Sequence, residues 1–153
     1  MSSFWWIPIV VAVLLSAAAL FRKPRKKTSR ATGLTRAKRR FHVQREHLEA
    51  RFLQLASARA NPDAPRWADC AFDDDVAYVR SRSTGELSAL VAVTLAIEDC
   101  DDDPQAGTAV FRFDRDHWET DGRAILNLNP AEAIQYYRDE LEIVEAEIAH
   151  PLT

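Results

Sequence analysis

The residues of this chain best suited to chemistry are four histidines, two cysteines and two clusters of aspartate. His42 and His47 are five apart, one more than the spacing that sets two zinc ligands on one helical face. His117 stands beside Trp118 with no partner assignable from the sequence, and His150 follows a helical pattern, where a cation is mildly favoured anyway. Cys70 and Cys100 belong to no Cys-x-x-Cys or Cys/His metal spacing and read as small, partly buried side chains. Asp99, Asp101 and Asp103 match the first three ligand positions of a calcium-binding loop. Pro104 then falls where that loop needs glycine, and Val110 where it needs a bidentate glutamate. With those ligands missing, this run and Asp73, Asp74 and Asp75 read as solvated acidic loops. The four glycines form no nucleophile elbow, phosphate-binding loop or dinucleotide fingerprint. The expectation is a non-catalytic chain with no cofactor and no metal.

Aromatic residues offer a different kind of site. Trp67, Tyr78, Phe111, Phe113 and Trp118 all fall on predicted strands, and an antiparallel sheet curled around a helix can leave a ring-lined pocket. Trp67, Tyr78 and Trp118, with His117 as the one acid/base group, form the candidate groove. A plain hydrophobic core would use the same rings.

The elements that position these residues follow from periodicity. Residues 66–72 read as a first strand carrying Trp67, broken by the three aspartates, and residues 76–80 as a second. Residues 81–85 form a turn, with Gly85 free to take positive φ. Leu87, Ala89, Val91, Val93, Leu95 and Ile97 alternate without a break, which predicts a long central strand. A helix is the alternative there, because Ala, Leu and Glu are good helix formers. After an acidic loop, residues 108–113 read as another strand, Asp114-Arg115-Asp116 as a turn, and His117-Trp118-Glu119 as the start of a return strand. Asp121-Gly122 is a turn signal, and residues 124–128 are extended or lead into a last helix. That helix has a clear start, with Asn129 as cap, Pro130 in the first position and Glu132 closing a capping box. Ile134, Tyr137, Leu141, Val144 and Ile148 follow at helical spacing, so the helix is expected over residues 130–148.

Upstream, residues 34–59 predict a basic amphipathic helix. Leu34, Ala37, Phe41, Leu48, Phe52 and Leu55 form its apolar stripe, and Asn61-Pro62 ends it. Leu34, Phe41, Leu48 and Leu55 repeat every seven residues, while Gln44 and Arg51 interrupt the seam. The stripe is expected to pack on the protein's own body, with a protein partner or a second copy as the alternative. Residues 66–149 then make a small acidic α+β domain: an antiparallel sheet of 4–5 strands with a C-terminal helix. This order of helix, antiparallel strands and helix resembles the cystatin-like α+β shape, a likeness of architecture that implies no function.

The N-terminus sets the location. Residues 4–21, from Phe4, Trp5 and Trp6 to Phe21, carry no charge and as a helix would reach about 27 Å, enough for a transmembrane helix. The tryptophans suit the bilayer interface. Arg22, Lys23, Arg25, Lys26 and Lys27 follow at once. Positive charge is retained on the cytoplasmic side, so the N-terminus is expected outside and the soluble domain in the cytoplasm. Residues 22–33 read as a basic juxtamembrane linker that can meet anionic lipid headgroups at about 1 kcal/mol per charge. The topological role accounts for those charges without nucleic acid. Ala17-Ala18-Ala19 leaves signal cleavage, and a secreted or periplasmic domain, as an alternative. Residues 1–59 hold 13 Lys and Arg against 2 Asp and Glu, whereas residues 60–153 hold 7 against 21. A basic membrane-facing arm and an acidic body account for that split. The sequence thus predicts a single-pass protein of the cell membrane, its cytoplasmic domain a non-catalytic binding or assembly module. The rival is a small-ligand-binding or enzymatic domain built on the aromatic groove.

Overall fold

A computed structural model of the chain describes residues 27–60, 67–96 and 104–147. The chain divides into two compact units, residues 1–36 and 37–153. Within the first, the described part is the opening of a helix, in which Thr35 Oγ1 donates to the Ala31 carbonyl at 3.1 Å. That helix, α1, runs Lys27–Arg59. It begins inside the stretch expected as linker, so residues 27–33 are helical. No proline lies within Lys27–Arg59, and Gly33 weakens a helix by only about 1 kcal/mol relative to alanine.

In the second unit, Ala37, Phe41, Leu48, Phe52 and Ala56 are buried along one face of α1. They meet an antiparallel sheet built from β1 (Ala71–Ser81), β2 (Leu87–Leu95), β3 (Gln105–Asp114), β4 (His117–Glu119), β5 (Ala124–Leu126) and β6 (Leu141–Glu147). The order is β4-β3-β2-β1-β6, with β5 also paired to β3. The alternation expected over residues 87–97 holds in β2. Leu87, Ala89, Val91, Val93 and Leu95 are buried on the face toward α1, and Thr94 is exposed. Cross-strand rows carry the pattern outward: Tyr78, Ala89 and Phe111 share one face, and Ala77, Leu90 and Val110 the other.

Two expected elements are corrected. The stretch expected as two strands split by aspartates is the single strand β1, with a register shift between Phe72 and Val76. The aspartates sit in this bulge because the helix supplies donors for it. Arg45 of α1 donates to the Asp73 carbonyl, and to that of Asp74 at 3.0 Å. Trp67 precedes the strand, in a single 3-10 turn at Trp67–Asp69.

The larger correction is at the C-terminal end. The expected capping box is present, with Glu132 N–H donating to Asn129 Oδ1 and Asn129 N–H to Glu132 Oε2, both at 2.9 Å. The helix it starts, α2, spans only Pro130–Tyr136. After a turn, the residues expected as its later turns form β6, antiparallel to β1 from Val76↔Glu147 to Ser81↔Leu141. Without β6, the outer edge of β1 would present a long row of unpaired backbone groups. Pairing satisfies them and places the β-branched Ile143 and Val144 where they are favoured, which outweighs the helical spacing.

Candidate functional site

The aromatic groove expected from Trp67, Tyr78, His117 and Trp118 is the closed core between α1 and the sheet. Tyr78 is fully buried, and Trp67 and Trp118 nearly so. Phe41 reaches down from α1 and fills the space, with ring centroids 5.0 Å from Trp118, 5.5 Å from Phe111 and 6.1 Å from Tyr78. Trp67 packs instead on Phe52, at 5.4 Å. Trp118 Nε1–H donates to the Ala37 carbonyl at 2.7 Å, which gives this buried indole the partner it requires. His117 does not join these rings. Neighbours on a strand point to opposite faces, so with Trp118 turned inward His117 is exposed, its Nε2 3.9 Å from Glu119 Oε2.

A polar cluster sits where α1 passes β6. Lys38 and His42, one turn apart on the helix, face Glu145 and Glu147, two apart on the strand. Lys38 Nζ lies 2.5 Å from both Glu145 Oε1 and Glu147 Oε1. His42 Nε2 is 2.7 Å from Glu147 Oε2, and the Tyr78 hydroxyl donates to the same oxygen at 3.3 Å. Hydrogen bonds to Glu145 and then Glu147 raise the Lys38 amine above its ordinary value. Burial pushes the Glu147 carboxyl up, but hydrogen bonds from Lys38 and His42 outweigh it and leave the group below the usual carboxylate range. Burial first, and then the Glu147 charge, raise the Tyr78 phenol. This cluster fastens the edge strand to the helix. Sequence reasoning missed it by placing both glutamates on a helix; their spacing of two, beside β-branched residues, was the strand signal.

Cys70 is a half-buried free thiol, pushed up to about 11 by burial and by the charge of Glu49. Cys100, Asp99, Asp101 and Asp103 lie outside the described residues. Among the described residues no group of three His, Cys, Asp or Glu is placed to hold a metal ion.

The open feature is on the opposite face of the sheet. There the short α2 covers only part of the surface, and Ala77, Val79 and Leu90 form a small core with Ile134 and Leu141 against it. Beside this core lies a groove of about 460 Å³. Ala77 and Ala92 form its floor, Ile134 of α2 lines it from one side, and Ile143 and Ala146 of β6 from the other. Asp73 and Asp75, from the bulged end of β1, and Glu147 of β6 also line it. Ile143 is 55% exposed and Val144 36%.

Of the seam weighed for a partner, Phe41 and Leu48 are buried in the protein's own core, while Leu34 and Leu55 are half-buried. The expected span with Phe4, Trp5, Trp6 and Phe21, and the basic residues Arg22, Lys23, Arg25 and Lys26, lie outside the described residues. Among the described residues no helix is long and apolar enough to cross a membrane. No family model matches the chain, and neither a curated protein nor a solved structure shows significant similarity to it.

Proposed function

We propose that the chain is a single-pass membrane protein whose acidic α+β domain serves on the cytoplasmic side as a non-catalytic binding module. Its binding surface is the groove between α2 and β6. The observation that carries the binding half is that groove itself: about 460 Å³, floored and flanked by apolar residues, with Asp73, Asp75 and Glu147 also in its lining. Its volume falls within the range of sites that bury a ligand or a peptide side chain. The anchor half is supported by the uncharged residues 4–21 and by Arg22, Lys23, Arg25, Lys26 and Lys27 directly after them. The same basic residues can contact anionic headgroups.

Membranes carrying the chain and washed with carbonate should retain it in the pellet; complete release into the supernatant would overturn the anchor. A C-terminal alkaline phosphatase fusion should be inactive. An active fusion, or a mature N-terminus beyond Ala19, would replace this reading with an exported domain released by cleavage.

A further inference from the structure

We propose that residues 148–153 fold back across the groove between α2 and β6 and serve as its built-in, displaceable cover. This rests on the reading of that groove as the binding site and names what regulates it. The described part of β6 ends at Glu147, which itself lines the groove. Glu147 pairs with Val76, and Val76 with Val91, the neighbour of Ala92 in the groove floor. The chain therefore leaves the sheet level with that floor, two strand spacings or about 10 Å from β2.

Three surfaces adjoin the chain beyond Glu147, and two are taken. Straight ahead, pairing between β6 and β1 stops at Val76, and the carbonyls of Asp73 and Asp74 farther along β1 already accept from Arg45. Toward α1, Lys38, His42 and the Tyr78 hydroxyl gather around the Glu147 carboxylate. Toward α2 lies the apolar groove, with Ala92, Ile134 and Ile143 in its lining.

The segment Ile148-Ala149-His150-Pro151-Leu152-Thr153 has the composition to cover it. Ile148, Ala149, Pro151 and Leu152 are apolar, whereas β6 itself carries three glutamates. The segment has no acidic side chain for Asp73 and Asp75 to repel, and a protonated His150 is drawn to them. Pro151 has no N–H to give to a ladder, which suits a covering segment better than a longer strand. The five residues from Glu147 to Leu152 reach about 17 Å when extended, so Leu152 can reach Ala92 with length to spare for a turn. Tethering holds the segment at an effective concentration on the order of millimolar, so modest apolar contact is enough to dock it. A partner must displace it, and the partner's apparent affinity falls by the fraction of time the groove is uncovered.

The test uses the full chain in lipid bilayer discs, its Leu152→Asp variant, and a chain ending at Glu147. Amide exchange over residues 130–136 should be about two- to fivefold faster in both altered chains, as for a cover docked half to four-fifths of the time. A synthetic peptide of residues 148–153, added at millimolar concentration, should restore the slower exchange to the shortened chain. A photoreactive residue in place of Leu152 should cross-link within its own chain, to β2 or to α2. If Leu152→Asp does not fold, Leu152→Ser tests the same contact.

Unchanged exchange in both altered chains, or cross-links to α1 or to a second copy, would overturn the proposal. Those results leave the groove uncovered and its reading as a binding site intact. A large fall in melting temperature for Leu152→Asp would overturn the proposal in a different way. The segment would then be a fixed part of the core, and the binding reading of the groove would fall with it.

Discussion

On the face that meets α1, Phe41 and Phe52 descend into a layer of Tyr78, Phe111 and Trp118; Phe41 meets all three rings edge to face, and Phe52 lies tilted against Phe111. On the face that meets α2, the covering residues are fewer and smaller, Ile134 and Leu141 over Ala77, Val79 and Leu90. The same strands build both faces. The difference lies in the length of the cover: the buried stripe of α1 runs from Ala37 to Ala56, whereas α2 is 7 residues long. A long amphipathic helix seals a sheet face from end to end, whereas a two-turn helix seals one patch and leaves a groove beside it. Stability is therefore concentrated on one side of the sheet and accessible surface on the other.

Substitutions that remove equal chemistry from the two faces would break or sharpen this contrast. Phe41→Ala should be the most damaging, costing about 3–5 kcal/mol in chemical denaturation, because it empties the centre of the aromatic layer. Ile134→Ala, on a half-buried side chain, should cost about 1 kcal/mol. Equal losses at the two positions would show that the α2 face is as tightly packed as the α1 face.

A smaller effect is expected at Gly122. Its φ is +74°, and a Cβ there would lie 2.6 Å from Leu55 Cβ and 2.8 Å from the Ala56 nitrogen. Gly122→Ala should destabilise by about 1–3 kcal/mol, read as a fall in melting temperature. An unchanged melting temperature would mean that the approach of residues 120–123 to α1 is dispensable.

The mildest effect concerns the polar cluster at β6. A carboxyl held below its ordinary value, as in Glu147, stabilises the fold above its unfolded pKa, and that contribution is lost as pH falls through the folded value. An amine held above 10.5, as in Lys38, stabilises below that value, and the contribution is lost as pH rises through the folded one. Melting temperature should therefore dip at both ends of a pH series. Lys38→Met should flatten both limbs, and identical profiles for the variant and the parent would remove the cluster from the account of stability.

Much of the α1 face was legible in the sequence. The one-sided stripe of Ala37, Phe41, Leu48 and Phe52, the alternation of residues 87–95, and the Asn129 cap are local patterns, and local patterns survive folding when tertiary packing agrees with them. What could not be read depended on partners distant in the chain. Asp73 and Asp74 look like a strand breaker until Arg45, far upstream, donates to their carbonyls. Leu141 and Val144 keep helical spacing with Ile134 and Tyr137, and only the unpaired edge of β1 decides for a strand. The groove was misplaced for the same reason. The sequence names the aromatic rings but not Phe41 as the residue that fills the space between them, and nothing local reveals that the helix after Asn129 stops after seven residues.

The two margins of the sheet are unequal in one further respect. At the far margin, β3 is flanked by β4 and β5, each three residues long, with residues 120–123 drawn toward α1 between them. A margin broken in this way gives an incoming strand no continuous register to follow. The near margin, β6, is seven residues long and carries one register shift against β1, at Val144. Open-ended growth of a sheet by head-to-tail stacking needs two complementary margins on every subunit. Among the described residues neither margin offers an incoming strand an uninterrupted register, so the fold itself resists open-ended growth into a fibre.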